Sequence, residues 1–228
     1  VRAIPGVVSA SVTQAMPFGS FHIPPISVPG REEPPSVNGQ LPAMYAATPE
    51  YLDMMGVRTV QGRLFSAKDM QPGAPLVMLV NETFARDVWP GGNALGQCVR
   101  AGHALDSFGE PDPAASSTLP CRTVVGVVRD SRVRSLNPTG REASLMQYYV
   151  PFGQDPVPPF APSYSRAHGL LVKVAGDVDR MAPMVQRLIQ GTAAAPLFAQ
   201  VRPYQDLIDP QMRPWRLGAT MFVAFGAL

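Results

Sequence analysis

Residues 74–96, APLVMLVNETFARDVWPGGNALG, decide the fold. An unbroken apolar run at 76–80 has the length and composition of a strand that is buried on both faces. Asn81 follows, a residue type that caps helix N-termini well, and from 82 to 89 apolar side chains recur at helical spacing. Pro-Gly-Gly at 90–92 ends that helix. The stretch therefore predicts a buried strand, a short packed helix and a tight return into the next strand.

The composition of the 228-residue chain is that of a folded domain with many turns. Apolar residues make up 46% and charged residues 16%, which excludes a disordered chain. The 26 prolines and 20 glycines favour short strands over a helical bundle. The net charge is only +2, too small to indicate nucleic acid or an anionic membrane surface as a partner.

Further strands and helices are predicted on both sides of this stretch. Thr48 and Pro49 are a favoured N-cap and first residue for a short helix that ends at Gly56. A βαβ unit with a right-handed crossover is predicted near the C-terminus, as a strand at 170–174, a helix at 179–190 and a return strand at 197–201. The other predicted strands lie at 7–13, 44–47, 57–60, 122–128 and 144–150, and long loops at 17–42, 102–120 and 155–165.

No motif of catalysis or nucleotide binding is present. His22, His103 and His168 lie far apart in sequence, in or next to Pro/Gly-rich loops, and lack the spacing of metal ligands. A catalytic triad can assemble from distant residues, but no serine lies in a Gly-x-Ser-x-Gly motif. The chain also lacks a Walker A motif and a GxGxxG motif. We therefore predict no catalytic, cofactor or metal residues.

Two groups of charged residues admit a binding role, and both have a simpler explanation. Three acidic residues share one loop and could suggest calcium, but they lack the glycine and terminal glutamate of a calcium loop, so a solvated loop is favoured: Asp106, Glu110 and Asp112. Three arginines could bind an anion or an acidic partner, but a solvated turn beside Asp130 is favoured: Arg129, Arg132 and Arg134.

The chain contains two cysteines, Cys98 and Cys121. They are either two ordinary small residues or a disulfide that closes a loop of roughly 22 residues, worth roughly 3 kcal/mol. Each lies on a predicted strand, and a hairpin that pairs those strands would bring the two sulfur atoms close. No CxxC motif or Cys/His cluster is present, so zinc is not predicted.

The patterns at the two ends of the chain are those expected of a segment of a longer protein. The N-terminus lacks the pattern of a signal peptide. At the other end the uncharged, mostly apolar run 217–228 follows Arg213, Trp215 and Arg216. Those residues cannot cross a bilayer, which takes about 20, but basic and aromatic residues before an apolar run are typical of a membrane helix at the interface. The alternative is an amphipathic terminal helix packed on the core.

Several segments, in the right order over nearly the whole chain, resemble the extracytoplasmic domain of MacB/FtsX-like ABC transporter permeases. The likeness is greatest to the branch in which the permease half is duplicated in one polypeptide. The strand at 170–174, its helix and the region from Leu207 onward also match. The other resembling segments are IPGV at 4–7, TPEYL at 48–52, GV at 56–57, GRLF at 62–65, VNETFA at 80–85, WP at 89–90, LG at 95–96 and VVGVV at 124–128.

The resemblance implies an α+β domain of two lobes. Residues 1–47 and 168–212 would form a porter-like βαβ lobe, with its first unit incomplete at the N-terminus and residues 1–6 as the end of a helix. Residues 48–167 would form an inserted, mostly-β lobe with short helices, and residues 213–228 would begin a transmembrane helix. Arg129 stands where the family often has glycine, and the cysteine pair is not a family hallmark.

The resemblance further implies a non-catalytic periplasmic domain of a bacterial inner-membrane protein, without a cofactor. The domain would couple ATP-driven movement of membrane helices to efflux or to mechanotransmission in the periplasm. Its expected partners are its own flanking membrane helices, a separate ATP-binding cassette ATPase and either a second permease copy or a periplasmic adaptor. The alternative is a secreted α+β ligand-binding protein or hydrolase.

Overall fold

The computed structural model describes residues 1–37, 39–102, 104–105, 111–112, 119–136, 146–154, 167–192 and 199–226. Its strands form one seven-stranded sheet and two two-stranded sheets. The strands are β1 Val7–Thr13, β2 Ile26–Ser27, β3 Ala43–Ala47, β4 Thr59–Gly62, β5 Val77–Asn81, β6 Cys98–Ala101, β7 Ala104–Leu105, β8 Pro111–Asp112, β9 Arg122–Val128, β10 Gln147–Pro151 and β11 Gly169–Val174. The helices are α1 Pro49–Met54, α2 Glu82–Val88, α3 Val178–Thr192 and α4 Gln205–Gly226, with a 3₁₀ turn at Ala67–Met70.

Strand β5 lies inside the larger sheet, whose order is β2-β6-β9-β5-β10-β3, with β4 beside β9. It runs parallel to β9 and antiparallel to β10. All five of its residues are buried, and they alternate between two apolar clusters: Met78 and Val80 belong to one, Val77 and Leu79 to the other. The predicted strand buried on both faces is confirmed, and the mixed sheet with short helices confirms the α+β class.

Asn81 ends β5 and starts α2. Its Oδ1 accepts hydrogen bonds from the backbone N–H groups of Phe84 at 3.1 Å and Gln147 at 3.0 Å, and its Nδ2 donates to Asp130. The first bond is the predicted N-cap, and the second ties the helix start to β10. Phe84 then packs against the rings of Trp89 and Tyr148. The cap, the helix and the neighbouring strand are therefore one unit.

Helix α1 has the predicted start. Thr48 Oγ1 accepts a hydrogen bond from the backbone N–H of Tyr51 at 3.2 Å, and Pro49 is the first helical residue. Tyr51 and Leu52 are buried in the cluster that also holds Leu79. The helix consequently covers one face of the larger sheet.

A smaller, two-stranded sheet pairs β1 with β11 in antiparallel register. The strands β2 and β3 belong to the larger sheet, where β2 pairs with β6 and β3 pairs with β10. Helix α3 follows β11 as predicted and buries Val185. Of the predicted return strand, residues 197–198 lie outside the described residues, and residues 199–201 form no strand. The carbonyl of Ala199 instead accepts a hydrogen bond from Gln186 of α3. Residues 1–6 form turns, not the expected helix end.

Two glycines let β4 cross β9 closely. Gly62 lies opposite Gly126, and a Cβ on Gly126 would come within 2.3 Å of the Arg63 carbonyl oxygen. A Cβ on Gly62 would come equally close to the Val125 carbonyl oxygen, and its φ of +71° also favours glycine. The nearest atom at each position is a backbone carbonyl oxygen of the neighbouring strand, which cannot turn aside as a side chain could.

We expect Gly126→Ala to lower the free energy of unfolding by at least about 2 kcal/mol, because the added methyl must push two strands apart. Urea denaturation measures this. Gly191→Ala is the matched control: it lies in α3 with no atom within 4 Å of the new Cβ, so its stability should be unchanged or slightly higher. Equal stability of Gly126→Ala and the parent would contradict the close crossing.

Asp69 closes the turn that follows β4. Arg63 donates two hydrogen bonds to its carboxylate, at 2.7 and 2.8 Å, and the backbone N–H of Ser66 donates a third. The Arg63 guanidinium holds the pKa of Asp69 well below its usual range. The Asp69 carbonyl also accepts from Gln154, which binds the buried Arg122. This polar cluster joins the turn to the end of β10.

We expect Asp69→Asn to lower the free energy of unfolding at pH 7 by about 1–3 kcal/mol. A lowered folded-state pKa stabilises fully above the unfolded value near about 3.9, and this stabilisation is lost as the pH falls through the folded pKa. The difference between parent and variant should therefore be constant above pH 5 and shrink in acid, as urea denaturation at several pH values would show. Asp87→Asn, at an exposed ion pair, should change stability little. A difference that does not depend on pH would contradict this assignment.

Cys98 lies on one strand and Cys121 lies next to another, and these two strands pair as the hairpin prediction requires. β6 runs antiparallel to β9, Cys98 lies opposite Thr123, and Cys121 directly precedes β9. The structure joins the two sulfur atoms, with the Cα atoms 5.3 Å apart.

We predict that this pair forms a disulfide in the isolated protein. Protein purified from an oxidising compartment should contain no free thiol, and Cys98→Ser/Cys121→Ser should lower the free energy of unfolding by roughly 3 kcal/mol through the lost loop constraint. A thiol titration and a urea denaturation measure the two effects. Two free thiols per chain would refute the disulfide.

Candidate functional site

The N-terminal turns and the smaller sheet meet the start of α1 and the edge of the larger sheet in a zone here called the seam, defined by Arg2, Ser11, His22, Thr48, Glu50 and His168. Ser11 of β1 and Thr48 hydrogen-bond through their hydroxyls at 2.9 Å, and Arg2 pairs with Glu50 at 3.4 Å. The backbone N–H of Glu50, then Thr48 and Arg2, lower the pKa of the Glu50 carboxyl. The Arg2–Glu50 pair is exposed, and such ion pairs contribute little, so it can rearrange at small cost.

An open cavity of about 320 Å³ lies beside these contacts. The Ser11 and Thr48 hydroxyls are bonded to each other there, and Arg2 is the cation at its edge. Among the described residues that line this cavity, no nucleophile is paired with a base. The lining residues are Val1, Arg2, Ala10, Ser11, Val12, Thr48 and Leu170.

The structure brings two of the three histidines together across the seam. The ring centroids of His22 and His168 are 5.9 Å apart, with the ring planes at 87°. The His22 carbonyl accepts from the Met44 N–H of β3, and the His168 N–H donates to the Thr13 carbonyl of β1. Burial lowers the pKa of His22, and the neighbouring His168 lowers it further. His103 lies outside the described residues.

The three arginines after β9 do not behave alike. Arg129 and Arg132 are exposed, as expected of a solvated turn. Arg134 departs from that expectation, because it is buried and donates to the Gln40 side chain and the Leu41 carbonyl, both at 2.7 Å. Its guanidinium also lies 4.9 Å from the centre of the Phe21 ring. Arg134 therefore fastens the loop before β3 and is not available to an outside anion.

The acidic residues of the loop that could suggest calcium lie mostly outside the described part of the chain. Asp106 and Glu110 lie outside the described residues, and only the backbone of Asp112 is described, in β8. Within the described part of the chain, no group of three or more His, Cys, Asp or Glu side chains is arranged to hold a metal ion.

Buried tyrosines lie in the apolar cluster that also holds Leu79. Tyr45 of β3 and Tyr149 of β10 have ring centroids 5.8 Å apart. Burial raises the pKa of Tyr149 to about 12, and burial likewise raises the pKa of Tyr204 to about 12. These hydroxyls stay protonated at physiological pH, so their role is packing and hydrogen bonding.

The start of α4 docks on the loop after β1. Tyr204 donates from its hydroxyl to the Pro17 carbonyl at 3.2 Å, and the Leu207 methyls lie 3.5 and 3.6 Å from where a Cβ on Gly19 would stand. Gln211 accepts from the backbone N–H of Leu136 at 2.7 Å. Sequence reasoning did not identify these contact residues, because polar and apolar side chains at the start of a helix carry no signal of the surface that receives them.

The second half of α4 leaves the body of the domain. Trp215 is 64% exposed and Phe222 is 82% exposed, and the described part of α4 contains no buried residue. The alternative of a terminal helix whose apolar face packs on the core therefore does not describe this half. Among the described residues, none of the helices has both the length and the apolar character that a bilayer crossing requires.

Two solved structures share the fold. The periplasmic region of MacB from Actinobacillus actinomycetemcomitans aligns with a TM-score of 0.58 at 15% identity, over 92% of this chain and 78% of that one. The extracellular domain of the noncanonic ABC-type transporter YknZ from Gram-positive bacteria aligns with a TM-score of 0.53 at 16% identity, over 89% and 84%. Among proteins of curated function, none matches the sequence.

A family model supplies the assignment that the structural likeness alone cannot. The model of the MacB-like periplasmic core domain matches residues 1–190, which include both sheets and nearly all of α3. The resemblance of the sequence to the extracytoplasmic domain of MacB/FtsX-like permeases is thereby confirmed. The chain belongs to the MacB-like periplasmic core domain family.

Proposed function

We propose that this chain is the periplasmic domain of an ABC-type transporter permease in a bacterial inner membrane, and that it has no catalytic site of its own. The observation that carries the proposal is the family match over residues 1–190, which is followed by a helix whose far half is apolar and exposed. The family match identifies the type of domain. The exposed apolar half of α4 indicates the part of the chain that would approach a membrane.

Helix α4 supports a membrane connection through its surface. Arg213, Trp215 and Arg216 precede the uncharged stretch from Leu217 to the end of the described helix. Basic and aromatic side chains are enriched at the membrane–water interface, where a spanning helix enters the bilayer. Large apolar side chains exposed in a row mark an interaction surface. Residues 213–228 would accordingly begin a transmembrane helix.

The contacts at the base of α4 suggest how movement would reach the domain. Tyr204, Leu207 and Gln211 hold the helix start against the loop after β1 and the segment after β9. A tilt of α4 would pull on both sheets. The few polar contacts at the seam would then let the smaller sheet move relative to the larger sheet, so that the domain transmits force in efflux or to a periplasmic partner.

The remaining partners follow from this role. ATP would be hydrolysed by a separate ATP-binding cassette ATPase. A second permease copy, in the duplicated arrangement, or a periplasmic adaptor would contact the domain from outside.

A secreted α+β ligand-binding protein or hydrolase is the rival function, and the open cavity of about 320 Å³ beside Ser11 and Thr48 favours it as a place for a small ligand.

The test is the membrane topology of the full-length gene product. Reporter fusions, alkaline phosphatase for the outside and a fluorescent protein for the cytoplasm, are placed within this domain and beyond the first 25 residues after Leu228. We expect the domain to report outside and the downstream fusion to report inside, because a helix beginning near Arg213 would cross the membrane between them. Release of the whole protein into the soluble periplasmic fraction would overturn the permease and favour the ligand-binding protein.

A further inference from the structure

We propose that His22 and His168 form a two-histidine site for a divalent transition-metal ion of the Zn²⁺, Ni²⁺ or Cu²⁺ class, which would bridge the two sheets at the seam. The two imidazoles would supply two ligands, and water would complete the coordination shell. Nothing in the sequence spacing suggests this pairing, since the two residues are brought together only by the fold.

Backbone hydrogen bonds hold the two residues at the edges of the two sheets. The His22 carbonyl accepts from Met44 N–H at 2.8 Å, which ties the residue to β3 of the larger sheet. The His168 N–H donates to the Thr13 carbonyl at 2.9 Å, which ties it to β1 of the smaller sheet. Both side chains are accessible to solvent, His168 more than His22. The backbone of each histidine is therefore fixed to one sheet, and the imidazoles are within reach of solvent.

The distance between the rings fits one shared ion. A metal–nitrogen bond of about 2.0–2.1 Å puts the ion about 3.2 Å from each ring centroid, so two imidazoles on one ion have centroids at most about 6.3 Å apart. The observed 5.9 Å lies within that limit. A tetrahedral angle needs about 5.1 Å, a closure of less than about 1 Å. The 87° between the ring planes is an edge-to-face arrangement, so the imidazole that presents its face would turn about its side-chain bonds to aim a ring nitrogen at the shared ion.

The lowered pKa of His22 also favours metal binding. A histidine binds metal as the neutral imidazole, and burial and the proximity of His168 both lower the pKa of His22. Imidazole is a ligand that suits Zn²⁺, Ni²⁺ and Cu²⁺, with Cu²⁺ bound most tightly of the three. A bound ion would fasten the seam, because one ligand is tied to each sheet.

The experiment uses the 228-residue protein with any polyhistidine tag removed and its thiols shown to be oxidised. NiCl₂ and ZnCl₂ are titrated in a calorimeter at pH 7.5, and hydrogen exchange of the Met44 and His168 amides is followed with and without metal. We expect one saturable site per chain and slower exchange of both amides, because the ion holds the two sheets together. Binding should weaken strongly at pH 5.5, where protons compete for the imidazoles.

Variants separate this site from other metal binding. His22→Ala and His168→Ala should each weaken the affinity at least about tenfold, because a single imidazole remains, whereas His103→Ala should leave it unchanged. Circular dichroism checks that each variant is folded. No saturable binding to the parent would overturn the proposal. Binding that survives in both His22→Ala and His168→Ala, or that is lost in His103→Ala, would also overturn it.

Discussion

The buried amide of Asn81 is the interaction on which the larger sheet depends. A polar group without contact to water must find its hydrogen-bond partners inside the protein, and Asn81 finds them on three neighbouring segments: Phe84 in α2, Gln147 in β10 and Asp130 after β9. Asp130 in turn accepts from the N–H and the hydroxyl of Thr83. One side chain thus sets where the central strand ends, where the helix starts and which strands lie beside it.

The two sheets are held to different degrees. Within the larger sheet, close backbone crossings such as that of Gly62 and Gly126 and the polar cluster around Asp69 leave no room for small adjustments. Between the sheets, the described residues form one exposed ion pair, Arg2–Glu50, and one hydroxyl contact, Ser11–Thr48, which give a weaker connection at the seam.

Sequence reasoning succeeded where neighbours along the chain supply the interaction. The caps at Thr48 and Asn81 bond to residues three positions ahead, and the strand at 76–80 is recognised by its own continuous apolar character. Reasoning failed where partners are distant. The segment 199–201 was expected to pair as a strand, but Ala199 bonds to a side chain of α3 instead. Arg134 was expected in solvent, and its partners Gln40 and Leu41 come from a loop that precedes β3.

The sequence by itself determined the caps and the buried central strand, because propensity and periodicity act over a few residues, and it implied the α+β class through its likeness to MacB/FtsX-like permeases. Only the tertiary structure decided which surfaces meet. His22 and His168 become neighbours because β1 pairs with β11 while the loop before β3 joins the larger sheet, and α4 docks on residues near the N-terminus. Such contacts depend on the order of strands in a sheet, a property that no local pattern encodes.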